Sequence, residues 1–245
     1  MDNALYVGLS RQMVLRRELD IVANNIANAD TNGFKVESLM TKEEPGPPAF
    51  TLQGPRPIKF VGSDGVARDF GQGSLRRTDT PLDVAIEGQG FLKVTTKDGE
   101  RFTRDGHLRT DDRGRLTTQA GDAVADESGG EITLDPEKGQ VTIAPDGTVS
   151  QGIERVGKLG VFKFDALSPL EKTGDNLYKN TGNQQPGPAS DAKVRQGMLE
   201  GSNVNSIVQI TRMIEVSRAY EQITRIMDSQ SDLSRNSITR MGRLQ

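Results

Sequence analysis

The chain has 245 residues, 31 basic and 34 acidic side chains, a net charge of −3, a single histidine and no cysteine. These numbers exclude disulfides, thiolate metal sites and a cysteine nucleophile, and they give no electrostatic case for binding nucleic acid. With 33% hydrophobic and 4% aromatic residues, a self-contained core is not expected to extend over the whole length.

The first element is a helix over residues 4–28. Leu15, Leu19, Val22 and Ile26 recur at spacings of four, three and four, and Leu5 and Leu9 extend the apolar side upstream. This is a narrow stripe close to a heptad seam. Asp2 or Asn3 is placed to cap its start, and Asn32-Gly33 to supply a left-handed stop. Asn24, Asn25 and Asn28 gather near its C-terminal end. The same residues argue against a cleavable signal peptide, because Arg11, Arg16, Arg17, Glu18 and Asp20 leave no apolar stretch. No run approaches the length of a membrane span.

Five of the eleven prolines (Pro45, Pro47, Pro48, Pro55 and Pro57) follow in close succession. Residues 36–70 therefore read as an extended arm or linker, since proline ends helices and disfavours an internal strand. From about Gly71 the apolar period becomes two: Leu82, Val84 and Ile86 alternate, and Phe91, Leu92 and Val94 follow Gly88-Gln89-Gly90. Asp98-Gly99, Asp105-Gly106 and Asp146-Gly147 have the composition of tight hairpin turns, and Asp112-Arg113-Gly114 of a longer one. Val161, Phe162 and Phe164 carry apolar side chains to both faces, as an interior strand does. Residues 71–200 thus form an antiparallel β-domain, a sandwich or an irregular barrel, that ends in a short strand over 194–199.

Ser202 or Asn203, or a capping box of Ser206 and Gln209, begins a second helix. Its apolar positions are Ile207, Ile210, Ile214, Val216, Tyr220, Ile223 and Met227, the last four again spaced four, three and four. Polar residues thicken after Ser229. The fold class is α+β: an N-terminal helical segment (1–35) pairs with a C-terminal one (201–245) as a coiled-coil-like domain, and the β-domain lies between them in sequence. Helices with such narrow seams are marginal alone and need partners.

Little in the chain reads as chemistry. Gly152 to Lys158 matches a phosphate-loop spacing, but Leu159 stands where a metal-binding hydroxyl is required and the run leads into a strand. Asn28, Asp30, Asn32 and Gly33 imitate the start of a calcium loop, yet Leu39 replaces the bidentate glutamate. The two Gly-Gln-Gly runs lack the third glycine of a dinucleotide fingerprint. His107 follows a turn and has no ligand set around it in sequence; Asp111-Asp112 reads as a solvated turn. No catalytic, cofactor or metal site is expected.

Three ordered motifs narrow the reading. Ala23-Asn24-Asn25-Ile26-Ala27-Asn28, followed by Thr31-Asn32-Gly33-Phe34-Lys35, closely resembles the N-terminal motif of bacterial flagellar rod and hook proteins. Ser202-Asn203-Val204-Asn205, with Met213-Ile214-Glu215 and Arg218-Ala219-Tyr220-Glu221, resembles the matching C-terminal motif. Pro81-Leu82-Asp83-Val84-Ala85-Ile86, Gly88-x-Gly90-Phe91 and Phe102-Thr103-Arg104-Asp105-Gly106 resemble the β-domain of the longer rod proteins. The opening Met1 to Ser10, with Arg16-Arg17-Glu18-Leu19-Asp20, looks most like a proximal-rod member; the distal-rod member is the near alternative.

The resemblance implies a non-enzymatic subunit of the rod, a periplasmic drive shaft. Copies of the chain and other rod proteins, proximal and distal, would be its partners, and the flagellar type III apparatus its export route. Two other classes compete: an extracellular β-rich binding module with helical stalks, which needs a secretion signal, and a wall-cleaving enzyme, which needs a convergent acid pair.

Overall fold

The computed structural model describes residues 2–51, 54–182 and 184–242. Met1 and residues 243–245, included in the expected terminal segments, lie outside the described residues, as do the side chains of Asp2 and Asn3. The chain forms two compact units. One comprises residues 1–27, 37–68 and 205–245, and the other residues 28–36 and 69–204.

The first unit contains two helices, α1 (Asp2–Ala27) and α2 (Ser206–Gly242), and two strands, β1 (Glu37–Thr51) and β2 (Gly54–Arg68). The helices run antiparallel. Gln12 meets Thr224 midway along both helices, and Asn25 near the end of α1 meets Gln209 near the start of α2. Val14, Leu15 and Val22 are buried on α1 and Val216 on α2. Helix α2 continues well past Ser229, so the polar residues there end the apolar stripe and not the helix.

Residues 36–70, expected as an extended arm or linker, contain β1 and β2 paired as a long antiparallel hairpin. The prolines are compatible with it because each strand of a two-stranded ribbon has an outward edge that needs no N–H donor. Pro47 and Pro48 fall where the register is irregular, between Gly46 and Ala49, as unpaired residues of a bulge do. Arg68 pairs with Glu37 across the hairpin at 2.7 Å.

Among the described residues the strand pairings of the second unit are antiparallel. In its largest sheet the order is Leu170–Gly174, Leu177–Asn180, Gly99–Thr103, Phe91–Thr96, Ala123–Val124, Leu116–Thr118 and Leu108–Thr110. Val161–Lys163 also pairs with Phe91–Thr96 and, on its other side, with Gly187–Pro188, which makes it the expected interior strand. Smaller sheets join Val141–Ile143, Thr148–Gln151 and Glu154–Lys158; Lys193–Gln196 and Val84–Glu87; and Met198–Glu200 and Leu75–Arg77.

Period two sorts these strands' side chains into two cores. Leu92, Val94 and Leu177 join an aliphatic cluster with Val84, Ile86, Val124 and Val149. Their neighbours Phe91 and Tyr178 join an aromatic cluster with Phe102, Phe164 and Leu170. Phe102 and Phe164 meet edge to face, centroids 4.8 Å apart. A chain poor in aromatics concentrates them here.

The expected turns are present with one exception. Gly99 and Gly147 have φ of +102° and +87°, whereas Gly106 is needed for space: a Cβ there would stand 1.7 Å from the Val84 carbonyl oxygen. The last short strand, expected over 194–199, is two strands separated by Gly197.

Candidate assembly site

The apolar repeats of the two helices divide between an internal seam and an outer face. Leu15, Val22 and Val216 are buried; Leu5, Leu19, Ile26, Tyr220, Ile223 and Met227 are half-buried. Gly8 lets α2 approach closely, since a Cβ there would stand 3.0 Å from Met227 Cγ. Glu18 accepts a hydrogen bond from Arg212 Nε at 2.8 Å, and Gln12 donates to Thr224 at 3.2 Å. The remaining positions of the repeat, Leu9, Ile207, Ile210 and Ile214, face outward, with Ile207 77% exposed and Ile210 and Ile214 each 48% exposed. Tyr6, Met13, Val208, Ile226 and Leu233 extend that apolar exterior. Leu5, Tyr6, Leu9 and Met227 line an apolar groove of about 220 Å³.

The asparagine motif works on the backbone. Asn25, 1% exposed, donates from Nδ2 to the Glu37 carbonyl (2.7 Å) and accepts from the Glu37 N–H (3.0 Å), while Nδ2 also reaches Gln209 Oε1 at 3.2 Å. Its amide thus fixes the start of β1 as a paired strand would, and ties it to the start of α2. Asn24 is exposed on α1. Helix α2 is capped by Asn205, not by Ser202, Asn203 or Ser206: Asn205 Oδ1 accepts from the Ile207 and Val208 N–H groups at 3.1 and 3.2 Å.

Asn203 is occupied in the second unit. Its Oδ1 accepts from the Val36 N–H (2.8 Å), and its Nδ2 donates to the carbonyls of Asp69 (2.8 Å) and Gly71 (3.2 Å). Asn28 accepts from the Thr31 hydroxyl at 3.1 Å. Gly33 has φ +68° as expected of a left-handed residue, but α1 ends at Ala27, so Gly33 shapes the segment after the helix and does not cap it. A Cβ at Gly33 would stand 2.6 Å from the backbone of Arg104 and Asp105. Phe34 is fully buried.

Beside Phe34 is a feature that sequence reasoning missed. Glu200, with a side chain wholly out of solvent, accepts from Lys35 Nζ at 2.6 Å on one oxygen and from Arg104 Nη1 at 3.0 Å on the other. The Gly73 N–H also donates to Glu200 Oε1 (2.9 Å), and Lys35 donates to the Gly71 carbonyl (2.7 Å). Arg104 further donates to the carbonyls of Ile86 (3.1 Å) and Gly88 (2.6 Å). Burial pushes Lys35 and Arg104 below their ordinary pKa values, and Glu200 beside them pulls each back up. Lys35 and Arg104 stand inside the quoted motifs. Glu200 has no such signal: a lone glutamate after Met198-Leu199 reads as a strand-end charge.

His107 is exposed on its strand edge, Nε2 4.0 Å from Asp83 Oδ1. Among the described residues no group of three or more His, Asp or Glu side chains could hold a metal ion, and no helix is long and apolar enough to cross a membrane. The described residues thus present a thin helical seam, an apolar exterior and backbone clamps at Asn25 and Asn203.

Comparison with known proteins identifies the assembly. Residues 5–35 match the family described as flagella basal body rod protein, residues 85–151 the flagellar hook protein FlgE/F/G D1 domain, and residues 195–241 the flagellar basal body rod FlgEFG protein C-terminal family. The chain is 56% identical, over the full length of both proteins, to flagellar basal-body rod protein FlgF of Caulobacter vibrioides. It is 34% identical to FlgF of Mesorhizobium japonicum, over 99% of each chain, and 34% identical to flagellar basal-body rod protein FlgG of Buchnera aphidicola, over 87% of this chain and 89% of that one. The chain belongs to the flagellar rod and hook protein family, in its FlgF group. The family is structural and not enzymatic. Lys35, Arg104 and Glu200 each come from a different one of the three matched segments, so the buried charges join all three.

Proposed function

We infer that the protein is a structural subunit of the flagellar basal-body rod, in its proximal part, and that it polymerises through its terminal helices into the shaft that transmits torque. One observation carries the assembly mode: the helix pair leaves Leu9, Ile207, Ile210 and Ile214 exposed on elements that otherwise bury only a thin seam. Exposed apolar side chains gathered on one element pair mark association surfaces, and an interface repeated between unlike patches gives an open helical array. In this reading Leu15, Leu19, Val22, Ile26, Val216, Tyr220, Ile223 and Met227 hold the subunit's own helices together, and the outward isoleucines and leucine meet neighbours. Those neighbours are further copies and other rod proteins, proximal and distal. A place in the periplasm and export through the flagellar type III apparatus belong to the same proposal, supported by the motif resemblance.

Ile210→Asp and Ile214→Asp test the assembly mode in cells that carry the variant as their only copy. A carboxylate there is solvated in the free subunit but desolvated in a packed contact. The expected result is a soluble, folded, exported subunit with unchanged circular dichroism, and cells that build no complete basal body and do not swim. Normal basal bodies in both variants would overturn the helix-face assignment.

A further inference from the structure

We propose that residues 28–36 are a strap docked in the β-rich unit as an internal ligand, and that the unit keeps this strap when the helix pair opens. The segment directly follows α1 in sequence, so the expectation from chain order is that it orders and disorders with that helix. Its partners say otherwise. The Gly33 N–H donates to the Glu200 carbonyl at 2.8 Å, and the Asn203 N–H donates to the Phe34 carbonyl at 3.3 Å. Asn176 Nδ2 donates to the Asn32 carbonyl and Arg76 Nη2 to Asn32 Oδ1, both at 2.9 Å. The Asp69 N–H donates to the Val36 carbonyl at 3.0 Å, while the Val36 N–H is taken by Asn203.

Side chains seat the strap as well. Phe34 is 0% exposed, and Lys172 Nζ lies 4.0 Å from the centre of its ring. Lys35 reaches Glu200 and the Gly71 carbonyl with its ammonium fully buried. Gly33 fits against the Arg104–Asp105 backbone with no room for a Cβ. A nine-residue segment with a buried aromatic anchor, a buried cation and backbone hydrogen bonds at Asn32, Gly33, Phe34 and Val36 has the recognition features of a bound peptide. Such a strap lets the terminal helices rearrange during assembly while the chain's exit from α1 stays anchored.

Hydrogen exchange on the full-length isolated subunit tests this. The Gly33 and Val36 amides are expected to exchange on the timescale of strands Phe91–Thr96 and Gly99–Thr103. Leu15→Asp, which opens the helix seam, should speed exchange along α1 and leave both strap amides unchanged. Phe34→Ala should speed the strap amides by about tenfold or more with the two strands unaffected. Asn203→Ala, which removes only the clamp, should do the same at Val36 if Phe34→Ala fails to fold. Strap amides that follow α1 in Leu15→Asp, or that keep their protection in both Phe34→Ala and Asn203→Ala, overturn the proposal. Neither result would bear on the rod reading, since that rests on the outer helix face.

Discussion

Among the described residues, ten of the eleven exposed large apolar side chains lie in the helix-and-hairpin unit, and the eleventh, Ile153, lies in the β-rich unit. Buried charge is distributed the other way. Lys35, Arg104 and Glu200 are all in the β-rich unit, where their hydrogen bonds are drawn from its own backbone and from one another. One unit closes its core and can seal ions inside it. The other buries Val14, Leu15, Val22 and Val216 and leaves a second apolar face to solvent. In the proposed assembly the contrast separates a body with its own closed core from an element whose outer face neighbours cover, and substitutions on each side should behave accordingly.

The largest stability effect is expected from Glu200→Ala. It strands two buried cations, which costs about 3–5 kcal/mol when one partner of a buried ion pair is removed. Urea denaturation followed by the near-ultraviolet signal of the aromatic cluster should show the loss, and an unchanged midpoint would mean that the charges are hydrated. Leu15→Ala should cost about 2–5 kcal/mol, as for a buried leucine truncated in a core, but in helix content only. Far-ultraviolet dichroism should fall while the aromatic signal stays, and simultaneous loss of both would show that the two units do not fold separately.

Asn25→Ala is smaller. It removes the partner of the Glu37 N–H and carbonyl, at about 1–3 kcal/mol for unmet backbone groups, and exchange at Glu37 should report it first. Smallest in the free subunit are Ile207→Ala and Ile153→Ala, both within about 0.5 kcal/mol because neither side chain is buried. They should part company in cells: Ile207→Ala impairs rod assembly and Ile153→Ala leaves swimming intact. Equal behaviour of the two would erase the distinction between the units.

The elements legible in sequence were those with a local signature. Leu15, Leu19, Val22 and Ile26 announced α1 through spacing alone. Asp146-Gly147, between the apolar residues Ile143 and Val149, announced a hairpin because its glycine must take positive φ. The hairpin of β1 and β2 was not legible, because proline weighs against a strand unless the strand is known to have a free edge, and edges are set by the fold. Asp105-Gly106 looked like another tight turn, but its glycine answers to the Val84 carbonyl, a neighbour distant in sequence. Asn205 outcompeted the expected caps because Asn203 is held by Val36, Asp69 and Gly71. The division of the apolar stripe into a seam and an outer face was hidden for the same reason: spacing marks apolar positions without saying which of them the chain itself covers. Glu200 was beyond reach, since only the meeting of three separated segments makes it a buried anchor.

In the proposed assembly the outer helix face is covered in the rod and bare in the free subunit. The chain contains no cysteine, so Ile210→Cys places a single thiol on that face and Ile153→Cys a single thiol on the β-rich unit. Maleimide labelling of each variant, as free subunit and in isolated basal bodies, measures the difference directly. Ile210→Cys is expected to react readily when free and to be protected in basal bodies, while Ile153→Cys reacts in both. Equal labelling of Ile210→Cys in the two states would contradict the covering of that face in the rod.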